Sequence, residues 1–75
     1  MPVVDIVKTG DNIRSIMKQK NMKITDIQSA CGFNTPQAIY KWIRGKSVPT
    51  IDNMIILADI FGVSIDDIIV IKRVG

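Results

Sequence analysis

The sequence contains no histidine and no glutamate, so every acidic side chain among its 75 residues is an aspartate. Histidine is the commonest acid–base and metal-binding side chain at neutral pH, and no glycine-rich phosphate loop is present either. Asp66 and Asp67 are adjacent, but they follow Ser64 in the manner of residues that begin a helix. These absences argue against an enzyme, a metal site and a bound cofactor, and no site for a small-molecule ligand is evident.

Cysteine and long apolar runs are also scarce. The single cysteine, Cys31, cannot form an internal disulfide, and it shares a helical face with Ile24 and Ile27, so we expect a reduced thiol in the core. No apolar run approaches the roughly 20 residues that cross a bilayer. The amino terminus lacks the basic and apolar regions of a signal peptide. We therefore expect a cytoplasmic protein that does not enter a membrane.

The charges that are present divide the chain into two halves. Residues 12–49 carry one acidic residue, Asp26, among these basic ones: Arg14, Lys18, Lys20, Lys23, Lys41, Arg44 and Lys46. Residues 50–71 carry no basic residue and these acidic ones: Asp52, Asp59, Asp66 and Asp67. A basic half of this kind is typical of a protein that binds a polyanion, although a merely solvated lysine-rich face is the alternative.

Apolar periodicity and capping residues predict an all-α domain of five helices within residues 1–75, with its core in residues 10–70. The first helix is predicted to begin near Thr9 as N-cap and to end near residue 20. The second begins at Ile24 and ends at Gly32. The third, residues 35–44, would have Thr35 as N-cap and Pro36 in its first turn. The fourth begins at Thr50 and ends at Gly62, and the fifth is capped by Ser64.

Side-chain spacing also predicts which helical faces are buried. In the third helix the apolar face consists of Ile39, Trp42 and Ile43, which leaves these residues outside: Gln37, Ala38, Tyr40, Lys41 and Arg44. In the fourth helix the residues available to the core are Ile51, Met54, Ile55, Leu57, Ala58 and Phe61. The terminal segments are rich in β-branched residues and could form short strands, which would pair with each other or with a second subunit.

The order of these elements resembles the phage-repressor and Cro-type helix-turn-helix family, often called XRE-like. The resemblance covers roughly residues 12–69 and is most specific in IYKWIRGKSVP, residues 39–49, and NMIILADIFGVSIDDII, residues 53–69. It implies a five-helix repressor-like domain with its helix-turn-helix at residues 24–44. It further implies that the third helix lies in the major groove of double-stranded DNA and that the protein is a homodimer.

The resemblance also implies roles for individual residues. Positions that match base contacts, or lie beside them, are Pro36, Gln37, Ala38, Tyr40 and Lys41. Positions that match phosphate contacts are Thr35, Arg44, Lys46, Ser47 and Thr50. The sequence departs from the family pattern in having a turn one residue longer, with Gln28 where a small alanine is usual. Met17 and Ile43 replace a buried Arg–Glu pair, so we expect these two side chains to touch in the core.

Three functions of different classes follow from these observations. The one best supported is a small transcriptional regulator, a repressor or Cro-like protein of bacterial or phage origin, that binds specific sequences of double-stranded DNA. The alternative is a protein-interaction module of the antitoxin or adaptor type on the same scaffold. An enzyme is the least supported, because the chain lacks the side chains on which catalysis usually depends.

Overall fold

The computed structural model describes all residues, 1–75, and contains five helices and two short strands. The helices are α1 (Ile6–Gln19), α2 (Ile24–Cys31), α3 (Gln37–Ile43), α4 (Ile51–Phe61) and α5 (Ile65–Ile68). The strands are β1 (Pro2–Val4) and β2 (Ile71–Arg73). The predicted five-helix architecture is confirmed, and the terminal segments form strands as the β-branched residues suggested.

One apolar cluster holds the helices together. Its buried members come from every helix: Ile13, Ile16, Met17, Ile27, Ile39, Trp42, Met54, Leu57, Phe61 and Ile68. Partly buried side chains pack around it, among them Cys31 and Ile43. Partial burial raises the pKa of the Cys31 thiol, because the uncharged form is favoured away from water. Met17 and Ile43 therefore share one core, while direct contact between them stays a prediction.

Several helix ends lie where the local sequence predicts them. Gly32 and Gly62 end α2 and α4 in the left-handed conformation, with φ of 71° and 69°. The Thr50 hydroxyl caps α4 by accepting a hydrogen bond from the Asn53 amide at 3.2 Å. Ser64 and Asp67 form a reciprocal capping box at α5. Each of these ends depends on contacts within a few residues.

The predicted start of α1 was wrong. Asp5, not Thr9, is the N-cap, and its carboxylate accepts a hydrogen bond from the Lys8 amide at 3.0 Å. Thr9 lies inside the helix and is completely buried. Its hydroxyl oxygen accepts a hydrogen bond from the Val70 amide at 3.0 Å and donates one to the Val70 carbonyl at 3.3 Å. The side chain of Thr9 therefore joins α1 to the carboxyl-terminal segment.

The two ends of the chain pair with each other as an antiparallel two-stranded sheet. Pro2 lies opposite Arg73, and Val4 lies opposite Ile71. The Asn12 amide holds the segment before β2 by donating hydrogen bonds to the carbonyls of Asp67 and Ile68, at 2.7 and 2.9 Å. Side chains of α1 thus fix the position of residues 67–70, and the sheet follows from that placement.

The face of α4 that packs on the core is narrower than predicted. Met54, Leu57 and Phe61 fill it, whereas Ile51 and Ile55 are 64% and 54% exposed. At about 100° per residue, these two isoleucines lie roughly a quarter to a third of a turn away from the buried side chains. The expectation that they would enter the core was wrong, because the other helices cover only one side of α4.

Replacing Thr9 with valine should lower the free energy of unfolding by about 1–3 kcal/mol, because the Val70 amide loses its acceptor without gaining water. Urea unfolding followed by circular dichroism would measure this. Thr25→Val makes the same chemical change at an exposed site and should cost less than about 0.5 kcal/mol. Equal effects of the two substitutions would mean that the hydroxyl of Thr9 contributes nothing specific.

Candidate nucleic-acid interface

The turn between α2 and α3 lies where the sequence predicts it, but it is stabilised by a residue that the sequence did not indicate. The amide of Phe33 donates to the Gln28 carbonyl at 3.0 Å, and the Gln28 side-chain amide donates to the Phe33 carbonyl at 3.3 Å. Gln28, which stands where the family usually has a small alanine, therefore stabilises the turn between the two helices. No local sequence pattern indicates that a glutamine side chain will bind the carbonyl five residues further along the chain, so the sequence did not predict this role of Gln28.

The start of α3 differs from the prediction by about one residue. The helix begins at Gln37, Pro36 occupies the N-cap position, and no side chain caps it. Thr35 is exposed and makes no capping hydrogen bond, so its predicted capping role was wrong. The Pro36 carbonyl accepts the first helical hydrogen bond, from Tyr40 at 3.1 Å. Proline has a φ near the helical value already, which makes a side-chain cap less necessary here.

The buried side of α3 is fixed by Ile39 and Trp42. The Trp42 ring meets the ring of Phe33 edge to face, with centroids 5.8 Å apart. This arrangement is favourable between aromatic rings and ties the turn to the helix. The core thereby sets the rotation of α3 about its own axis, and so decides which side chains face outward.

The outward side of α3 carries four of the predicted residues: Gln37, Tyr40, Lys41 and Arg44 are exposed. The Arg44 guanidinium lies over the Tyr40 ring, 5.4 Å from its centroid. Such a cation–π contact orders both side chains without neutralising the charge. Ala38 departs from the prediction, because it is half-buried and packs against the core, so only part of it faces outward.

The loop after α3 holds Lys46, the remaining basic residue of the predicted site, next to the end of the helix. The Lys41 carbonyl accepts hydrogen bonds from the amides of Lys46, at 2.9 Å, and Ser47, at 3.4 Å. Lys46 and Thr50 are exposed, and Ser47 is half-buried. The predicted site residues therefore lie on one continuous segment, which runs from the end of the turn before α3, through α3, to the loop that follows it.

The rest of the molecule offers little concave surface. A single open depression of about 340 Å³ lies at the terminal sheet, lined by Pro2, Val3, Val4, Ile69 and Ile71. None of these side chains can ionise, and no group of three or more acidic, cysteine or histidine side chains could hold a metal ion. None of the helices has the length and apolar character needed to cross a bilayer. The exposed, basic surface of α3 is thus the chemically distinctive part of the fold.

Comparison with known proteins agrees with the geometry. A family model described as Helix-turn-helix matches residues 13–68, which is most of the chain and includes α2, α3 and α4. No curated protein and no solved structure gives a significant match. The match begins within α1 and ends within α5, so both terminal strands lie outside it.

Proposed function

Because this chain belongs to the XRE-like helix-turn-helix family of Cro- and repressor-type DNA-binding regulators, we propose that it recognises a specific operator with α3 in the major groove. The observation that carries the proposal is the exposed outer face of α3, where Gln37, Tyr40, Lys41 and Arg44 stand together above a buried Trp42. A helix with a polar, basic outer face and a rigid apolar inner face has the form that the groove accepts.

Base recognition is assigned to the first two turns of α3. The Gln37 amide suits a bidentate contact with adenine, and Lys41 can reach guanine or a phosphate. Tyr40, which is exposed beside them, would contact the DNA backbone or a thymine methyl group. Pro36 and the exposed part of Ala38 lie at the same end of the helix and would shape the fit against the edges of the bases.

Phosphate contacts are assigned to the residues that border this surface: Thr35, Arg44, Lys46, Ser47 and Thr50. The Thr50 hydroxyl already caps α4, so its contribution would come through the amides at the start of that helix. Basic side chains that neutralise phosphates release counterions, which makes the affinity strongly dependent on salt. These contacts would position α3, while Gln37 and Lys41 would select the bases.

We further propose that the regulator acts as a homodimer that occupies two half-sites about 34 Å apart, one turn of DNA. Occupancy would block or redirect RNA polymerase sterically. The surface proposed for the second copy is the terminal sheet, where Val4, Ile71 and Val74 are exposed around the apolar depression. Burial of such side chains from water is the main driving force for association of subunits.

The second candidate is a protein-interaction module on the same scaffold. The observation that favours it is the pair of exposed isoleucines on α4, Ile51 and Ile55, one helical turn apart. Exposed apolar side chains in a row on a helix are typical of surfaces that bind another protein. A partner that binds the chain in the absence of DNA, and is lost in Ile51→Asp, would support this function.

The experiment that tests the DNA-binding proposal is selection of random duplexes at two salt concentrations, followed by sequencing. We expect a short, palindromic motif and an affinity that falls steeply as salt rises, and the spacing of the half-sites would give the geometry of the dimer. Binding without enrichment of any motif would contradict sequence-specific recognition. Sedimentation of the free protein and of the complex would test the dimer independently.

Gln37→Ala should weaken binding to the selected operator by about 5- to 150-fold and relax the preference at one base position, since a bidentate contact contributes roughly 1–3 kcal/mol of discrimination. Its matched control is Gln19→Ala, an exposed glutamine at the end of α1. Repeating the selection with both variants would show it. An unchanged motif with Gln37→Ala would remove this residue from base recognition.

A further inference from the structure

The backbone of α1 lies directly against the backbone at the end of α3. Gly10 is buried in the first half of α1, against the carbonyl group of Trp42. A Cβ atom at position 10 would overlap the Trp42 carbonyl oxygen and would lie 3.4 Å from the Gly45 nitrogen. Neither neighbour is a flexible side chain, so any larger residue at position 10 must push α3 and α1 apart.

A second glycine, Gly45, lies at the same place, on the side of α3 that faces α1. Gly45 follows α3 with φ of 71°, and a Cβ atom there would lie 3.0 Å from both the Cα and the Cγ2 of Val7. Val7 and Gly10 are three residues apart and share one face of α1. The two glycines therefore lie at one point of contact, which we call the glycine contact, where α1 meets the turn that ends α3.

The glycine contact is joined rigidly to the proposed phosphate-binding residues. The Gly45 amide donates to the Trp42 carbonyl at 3.1 Å, and the next amide, of Lys46, donates to the Lys41 carbonyl at 2.9 Å. Arg44 and Lys46 flank Gly45 in the sequence. A displacement at the glycine contact must therefore move Lys41, Arg44 and Lys46 together, relative to the rest of the domain.

We infer that Gly10 and Gly45 are positioning residues for DNA binding: by letting α1 and the turn after α3 touch, they set the position of the three basic side chains. This inference rests on the proposed function. Glycine inside a helix is less stable than alanine, so Gly10 weakens α1 locally while permitting the close packing. The consequence of a larger residue is a misplaced surface, in addition to any loss of stability.

The chain contains a matched control for this inference. Gly62 has almost the same φ as Gly45, 69° against 71°, but a Cβ atom there would meet nothing within 4 Å. Gly45→Ala and Gly62→Ala thus both place a side chain at positive φ, and only the first disturbs the glycine contact. Gly62 also lies at the end of α4, outside the proposed DNA-binding surface.

The test compares the wild-type protein with Gly10→Ala, Gly45→Ala and Gly62→Ala on the selected operator duplex, at a temperature where circular dichroism shows each variant folded. We expect Gly62→Ala to bind within about twofold of wild type, and the two other variants to bind at least about tenfold more weakly, the effect of one charge-assisted contact. For these two variants, the slope of log K against log salt should be shallower by about 0.9, the value for one phosphate contact. The emission of Trp42, the single tryptophan, should shift only in these two variants.

Each other outcome is informative. Folded Gly10→Ala and Gly45→Ala proteins that bind as tightly as Gly62→Ala, with the same salt dependence, would overturn the inference and leave the proposed function intact. Wild-type protein that binds no duplex would overturn the proposed function, and the inference with it. If Gly10→Ala fails to fold, Gly45→Ala decides the question, because a Cβ atom 3.0 Å from the Cα of Val7 is a tight contact and not the full overlap found at position 10.

Discussion

Replacing Trp42 with alanine should remove a large part of the protein's free energy of unfolding at 25 °C. The side chain is only 3% exposed, belongs to the apolar cluster and meets the Phe33 ring edge to face. Truncation of a buried tryptophan costs about 3–5 kcal/mol. A domain of this length has a total free energy of unfolding of roughly 4–11 kcal/mol, so the loss is a large part of it. Urea unfolding followed by far-ultraviolet circular dichroism would measure the change.

The neighbouring aromatic residue provides the control for Trp42. Tyr40 lies on the same helix but is 38% exposed, and its main contact is with Arg44. Tyr40→Ala should therefore cost about 1 kcal/mol or less, while Trp42→Phe should retain part of the packing and fall between the two alanine variants. If Tyr40→Ala were as destabilising as Trp42→Ala, the assignment of the inner and outer faces of α3 would be wrong.

Neutralising Lys41, Arg44 and Lys46 together should abolish most of the affinity for DNA. Each contact between a charged side chain and a phosphate or a guanine is worth about 1.5–3 kcal/mol, so losing three should weaken binding at least about a thousandfold. The slope of log K against log salt should become shallower by roughly 1.8 if Lys41 contacts guanine, the value for two phosphates, and by roughly 2.7 if it contacts a third phosphate. Fluorescence anisotropy of a labelled operator at several salt concentrations would measure both quantities.

A second triple variant separates local contacts from net charge. Lys18, Lys20 and Lys23 are exposed at the end of α1 and in the connection to α2. Replacing them with alanine lowers the formal net charge from +3 to zero, as the first triple variant does. It should change the salt dependence only slightly. Equal slopes for the two variants would mean that the domain attracts DNA by its overall charge and not by the surface of α3.

The exposed residues of the candidate site were predictable from the sequence because a helix repeats every 3.6 residues. Once Trp42 and Ile39 are placed inside, Gln37, Tyr40, Lys41 and Arg44 must lie outside, and they do. Ala38 lies near the boundary between the two faces, where periodicity does not distinguish a half-buried side chain from an exposed one. The contacts of the exposed residues with DNA are proposals, and the variants above test them.

The residues that support the site were not predictable in the same way. Gly10 was hidden because the predicted helix began at Thr9, which made a glycine at the next position unremarkable. Its importance comes from the Trp42 carbonyl, more than 30 residues away in the sequence. Gln28 and Thr9 likewise act through backbone groups that no local pattern identifies.

The sequence by itself determined the number of helices, most of their ends and the outward face of α3. Gly32, Gly62, Thr50 and Ser64 act on amides and carbonyls within a few residues, so their effects can be read locally. Only the tertiary structure decided that Thr9 lies buried inside α1, which isoleucines of α4 stay in water and that the chain ends pair with each other. Those outcomes depend on which distant surfaces meet, and contacts between distant residues leave no periodic signal in a single sequence.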